Sequence, residues 1–169
     1  MSFSADQKQV LRLSDVTPKE IEVLLKKYGL HLTLSPLDED IPGSFWGDEE
    51  AGLIRNKVYA RADTPIHSIL HESCHYICMS ASRRESLHTN AGGTQDEENA
   101  VCYLQLLLCN EISTISAERM MEDMDTWGYN FMLGSCKAWF EQDAKESSQW
   151  LIDNNILSEY EVPTYFLRQ

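Results

Sequence analysis

At 169 residues with 43% apolar content, the chain is the size of one domain and long enough for a proper core. A formal net charge of −13 makes a surface that repels phosphate backbones and anionic membranes, which argues against nucleic acid or membrane as a partner. No apolar run reaches membrane-spanning length and no leader pattern opens the chain. Its five cysteines, an odd number at helical spacings, read as reduced thiols, so the expected location is cytoplasmic.

Residues 1–16 carry Val10, Leu11, Leu13 and Val16, enough for a short helix or an ordered arm. Thr17-Pro18-Lys19-Glu20 combines a cap, a first-turn proline and a capping-box glutamate. It opens a helix with Ile21, Val23, Leu24, Leu25 and Tyr28 that Gly29 stops. His31–Leu34 alternates like a strand. Residues 36–51 are acidic and turn-rich, with room for a short strand at Ser44–Trp46. Leu53-Ile54, a turn at Arg55-Asn56 and Lys57–Ala60 then read as strand, turn, strand. An exposed edge of this sheet is a candidate to pair with an extended substrate.

The spacing predicts a helix over 65–81. Asp63 or Thr64 caps it, Pro65 takes the first helical position, and Ile66, Ile69, Leu70 and Ile77 form a buried stripe. Two turns in lies His71-Glu72-Ser73-Cys74-His75, of the form H-E-x-x-H. Residues four apart share a helix face, so His71 and His75 can offer two imidazole nitrogens to one zinc ion, with Glu72 beside it as general base. The bland alternative is two histidines on a surface helix. Cys74 and Cys78 are not a C-x-x-C pair and read as small core residues. His67, one turn earlier, is a candidate contact to a ligand or to substrate.

Polar residues 82–93, with Gly92-Gly93, read as a mobile loop. A helix over about 95–109 carries Ala100, Val101, Tyr103, Leu104, Leu107 and Leu108. Further helices are expected at 116–126, capped by Ser116, and at 130–154, where Phe131, Met132, Trp139, Phe140, Trp150, Leu151 and Ile152 read as core. Residues 159–169 are expected to dock on the body. The fold class is therefore α+β in a single domain, 1–169. It has a strand-rich part at 30–62, a small antiparallel or mixed sheet on the H-E-x-x-H helix, and a mostly helical C-terminal part at 116–154.

A two-histidine zinc site with an open position needs one more protein ligand. The metzincin continuation fails, because Cys78 and Ala81 stand where its glycine and third histidine belong. The helix opening at Thr94 is the natural source. Glu97 shares the core face of Val101, Leu104 and Leu108 and is the first choice. Glu98 points with Cys102 and Gln105, and it and Asp96 are the alternatives, with His88 or no further ligand behind them. Thr94-Gln95-Asp96-Glu97 is also a capping box, which gives Glu97 a purely local role. Candidates to stabilise an oxyanion are His88, Tyr59 and Tyr129.

The segment Glu97-x-x-Ala100-x-x-Tyr103-x-x-x-Leu107-Leu108 resembles the second signature of the ImmA/IrrE-type metallopeptidases, whose first signature is H-E-x-x-H. The resemblance covers roughly residues 52–108. It implies a zincin-like, gluzincin-type fold, one zinc held by His71, His75 and Glu97, Glu72 as base, and hydrolysis of a peptide or protein substrate, such as a regulatory protein. Two positions depart. Val101 stands where the family has Asn or Asp, which removes a hydrogen bond to a ligand histidine or leaves it to another residue. The proline after the Leu-Leu pair is absent. Gly93-Thr94-Gln95-Asp96 also resembles the G-T-x-D of aspzincins, without the tyrosine at position 99. The rival expectations are a catalytically silent binding or regulatory protein on the same fold, and a structural zinc site. An intact Glu72 favours the peptidase.

Overall fold

The computed structural model describes residues 9–169, so the first eight residues of the expected N-terminal arm lie outside it. Among the described residues are seven α-helices and three strands: α1 (Pro18–Lys26), β1 (His31–Leu34), β2 (Gly52–Ile54), β3 (Lys57–Ala60), α2 (Ile66–Cys78), α3 (Ala81–Glu85), α4 (Gln95–Leu108), α5 (Ala117–Trp127), α6 (Cys136–Gln142) and α7 (Lys145–Asp153). The class is α+β with a small mixed sheet in the order β1-β3-β2. β1 runs parallel to β3, with Leu32 opposite Val58, and β2 runs antiparallel, with Leu53 opposite Val58. None of the described helices is long and apolar enough to cross a membrane.

Helix α2 is the hub. It packs on β2, β3, α4 and α5, and α4 packs in turn on α7. The apolar stripe that predicts this helix is what it buries: Ile66, Ile69, Leu70 and Ile77 are fully inaccessible, each stabilising the fold by about 1.5–3 kcal/mol. Its start is not capped by Asp63 or Thr64. Pro65 is itself the cap residue, and the Thr64 hydroxyl accepts from the Arg61 amide instead. The arm before α1 takes over the anchoring. The Leu13 amide donates to the Thr64 carbonyl at 2.8 Å and the Ile66 amide donates to the Leu11 carbonyl at 2.9 Å.

Local signals fail elsewhere through partners far away in the chain. Glu20 does not close a capping box on α1 but accepts from the Ser113 amide and hydroxyl. Ser44 makes only a single bridge, to Gly52. That bridge brings Pro42–Ser44 so close to β2 that a Cβ at Gly52 would sit 1.8 Å from the Pro42 carbonyl oxygen. The outer edge of β2 is further occupied, because the Thr89 amide donates to the Leu53 carbonyl and the Arg55 amide donates to the Leu87 carbonyl. So of the two sheet edges that could pair with an extended substrate, the β2 edge is already covered, and β1, which pairs only with β3, is the other. The expected loop at 82–93 is partly helical, as α3, and partly tied to β2. The expected helix at 130–154 is two. A turn through Leu133 and Gly134 at positive φ precedes α6, Ser135 caps it, and Asp143-Ala144 separates it from α7.

Candidate metal centre

One turn of α2 brings the His71 and His75 Nε2 atoms to 3.1 Å, with the rings at 90°. From α4, the Glu98 carboxylate reaches them, with Oε2 at 3.4 Å from His75 Nε2 and 3.8 Å from His71 Nε2. Ligands bonded at about 2.0–2.2 Å around a tetrahedral zinc stand about 3.3–3.6 Å apart. The three atoms therefore outline one face of such a tetrahedron. Among the described residues this is the one His/Cys/Asp/Glu group with that spacing.

Gln105 settles which nitrogen of His71 is bare. Its amide nitrogen donates to the His67 carbonyl at 3.0 Å, which turns its oxygen toward His71 Nδ1, also at 3.0 Å. His71 then carries its proton on Nδ1 and presents a lone pair from Nε2, the form a metal needs. Val101, one turn earlier on α4, has no polar side chain to make such a bond. The buried His75 Nδ1 has no hydrogen-bond partner among the described residues. Burial pushes the His71 imidazole down to about 4, against the opposing bond from Gln105. His75 is held well below its ordinary value by burial, with the His71 and Arg83 charges adding to it. Both rings are neutral at neutral pH.

The first choice for the third ligand needs correcting. Glu97 is buried, as its helix phase implies, but it meets arginines rather than histidines. Arg83 Nη1 donates to both of its carboxylate oxygens at 2.8 and 3.0 Å, and Arg168 Nη1 donates to Oε2 at 3.2 Å. Glu97 is not the capping-box partner either. The Thr94 hydroxyl caps the Glu97 amide, and the side chain faces the other way. Asp96 is exposed. The residue the structure brings to His71 and His75 is Glu98, on the polar face shared with Cys102 and Gln105.

A cleft of about 520 Å³ opens over this group. His71, Glu72 and Glu98 line it, with Trp46, Trp127, Tyr129 and Phe131 as aromatic walls, and no Lys or Arg is among its lining residues. Burial, with the Glu50 and Glu98 carboxylates nearby, pushes Glu72 up to about 8. The Trp127 indole N–H donates to Glu50 at 2.7 Å.

Of the other candidates, His67 and Tyr129 line the cleft and pair with each other, Nδ1 to hydroxyl, at 3.1 Å. The Tyr129 ring stands edge-on to His71, and burial holds its phenol protonated. His88 and Tyr59 are not among the cleft residues. His88 is exposed and bonded to the Thr89 hydroxyl, and Tyr59 sits in β3 opposite Gly52 and Thr33. Sequence reasoning missed Gln105, Glu50 and Trp127. The signal for Gln105 was its place two turns beyond Glu98 on one face. Comparison with known proteins gives no significant match to a family model, a curated protein or a solved structure.

Proposed function

We propose that the chain is a zinc-dependent metallopeptidase of zincin-like fold, in which His71, His75 and Glu98 hold one zinc ion and Glu72 is the general base. The observation that carries this reading is the convergence of three ligand atoms from two helices at tetrahedral spacing, with His71 in the right tautomer, beside a cleft lined by His71, Glu72 and Glu98. When bound, the ion supplies Lewis acidity toward a carbonyl and a water activated near neutral pH. Glu72 takes the water proton and passes it to the leaving amine. Gln105 keeps His71 oriented, and the aromatic walls hold a peptide and shed water from it. A cleft rich in carboxylates and without basic lining residues favours uncharged or cationic peptides over acidic ones. The resemblance to ImmA/IrrE-type peptidases supports a narrow, regulatory-protein substrate, with the third ligand one residue beyond the glutamate of that signature, and the five free thiols support a cytoplasmic setting.

The test is metal content on protein purified without chelator, followed by a peptidase screen. Wild type should carry about one zinc per chain, Glu98→Ala should lose it, and Glu72→Gln should keep it while cleaving nothing. A wild type that takes up no added zinc, or a Glu98→Ala variant that retains it, would sink the reading.

A further inference from the structure

Glu97 carries a buried charge that needs a reason. Its side chain is 3% exposed, and a buried carboxylate is tolerated only where strong hydrogen-bonded partners replace water. Those partners come from two distant segments, and each is also fastened elsewhere. Arg83, on α3, donates through Nη2 to the Ala91 and Gly92 carbonyls. Arg168 donates through Nη1 to the Cys78 carbonyl and through its backbone amide to the Ile77 carbonyl, at the end of α2. Gly93 closes the arrangement. A Cβ there would lie 2.5 Å from the Glu97 carboxyl carbon, and the Gly93 backbone supports the Glu98 carboxylate by a hydrogen bond. The end of the histidine helix, the turn before α4 and the first turn of α4 are thus tied together through one carboxylate. Its neighbour in the chain is Glu98.

We propose that Glu97, clamped by Arg83 and Arg168 and packed on Gly93, is a positioning residue that fixes the rotation of the first turn of α4 and so sets Glu98 against the histidine pair. This rests on the metal reading above. Fixing Glu97 matters because its neighbour projects about 100° away around the helix. A roll of that turn by a fraction of its circumference carries the Glu98 oxygen out of bonding range of an ion shared with His71 and His75.

The experiment measures zinc affinity by competition with a chromophoric chelator, together with metal-free thermal stability and the His71 and His75 ring resonances in metal-free protein. Arg168→Ala should weaken zinc binding about 10–100-fold, the range for loss of a residue that orients a ligand. It should also shift the two ring resonances, because Glu98 no longer stands beside them. Arg168→Lys should recover part of both effects. Should Arg168→Ala fail to fold, Arg83→Lys, which keeps the charge but loses the fork that joins Glu97 to the Ala91 and Gly92 carbonyls, is measured in the same way. A folded variant with zinc affinity within about twofold of wild type and unmoved ring resonances overturns the proposal, and 10–100-fold is the expectation it is set against. A wild type that takes up no zinc sinks the metal reading instead, and the ring resonances of the metal-free variants then decide the positioning role alone.

Discussion

Replacing Gln105 with leucine tests the orientation of His71 without touching a ligand. Gln105 is fully buried, and leucine is close to it in size. Two hydrogen bonds of 3.0 Å disappear. They leave the His71 Nδ1–H and the His67 carbonyl buried without these partners, at about 1–3 kcal/mol each. Metal-free stability should fall by about 2–6 kcal/mol at most, a large part of the 5–15 kcal/mol typical of a domain. Zinc affinity should fall about 10–100-fold, or about 1.4–2.8 kcal/mol, because His71 no longer holds its proton on the far nitrogen. Gln105→Glu separates the two effects. It keeps an acceptor for His71 and should keep most of the zinc affinity, while its carboxylate repels the His67 carbonyl and lowers stability. Competition titration and thermal unfolding in chelator measure both quantities. A folded Gln105→Leu protein that binds zinc as tightly as wild type would refute the argument that Gln105 sets the tautomer.

Leu104 is fully buried on α4. Leu104→Ala should cost about 2–5 kcal/mol and lower the melting temperature by about 4–20 °C at the 2–4 °C per kcal/mol usual for this size, as read by calorimetry. Glu161 accepts from the Tyr103 and Ser148 hydroxyls, bonds that favour its charged form and hold its carboxyl below the ordinary 4.5. Its stabilisation is therefore present above about pH 4.5 and lost as pH falls through the depressed value. Thermal midpoints between pH 6 and 3 should drop less in Glu161→Gln than in wild type, and an equal drop would refute this. All five thiols are free and buried, and burial pushes Cys109 and Cys136 up to about 12. A thiol reagent should therefore modify none of them in native protein and all five in denaturant, and rapid native labelling would contradict the packing described.

The sequence made α2 legible because its signals are local: a stripe at helical spacing, a proline at the start and two histidines one turn apart. The strand-turn-strand at 52–60 and its neighbour β1 were legible for the same reason. Which carboxylate of α4 meets the histidine pair was not, and the reason is instructive. Helix phase placed Glu97 on the core face correctly, but the site lies on the other face, over Cys102 and Gln105. What awaited Glu97 was an arginine pair whose members lie 14 and 71 residues away in the chain. A phase argument ranks faces by burial and cannot see which distant side chain each face meets. The same blindness turned Glu20 into a cap when Ser113 was its partner, and gave no sign that Gly43 and Leu87–Thr89 cover the edge of β2. The broken helix at 130–154 is a lesser failure. Gly134, Ser135 and Asp143 are break signals, overridden in the reading by a run of aromatics.

The histidine helix is gripped at its start by residues 11–13 and at its end by Arg168, and this sets an order of events during synthesis. A ribosome adds about 5–20 residues per second. The 71 residues between Glu97 and Arg168 therefore take on the order of 4–14 s to appear. Through that interval the nascent chain already holds both histidines and both glutamates, but Glu97 lacks one of its two arginines. The proposed ligand set is translated early and its proposed clamp late, so a chain stalled before residue 168 carries His71, His75 and Glu98 without the Arg168 contact to Glu97.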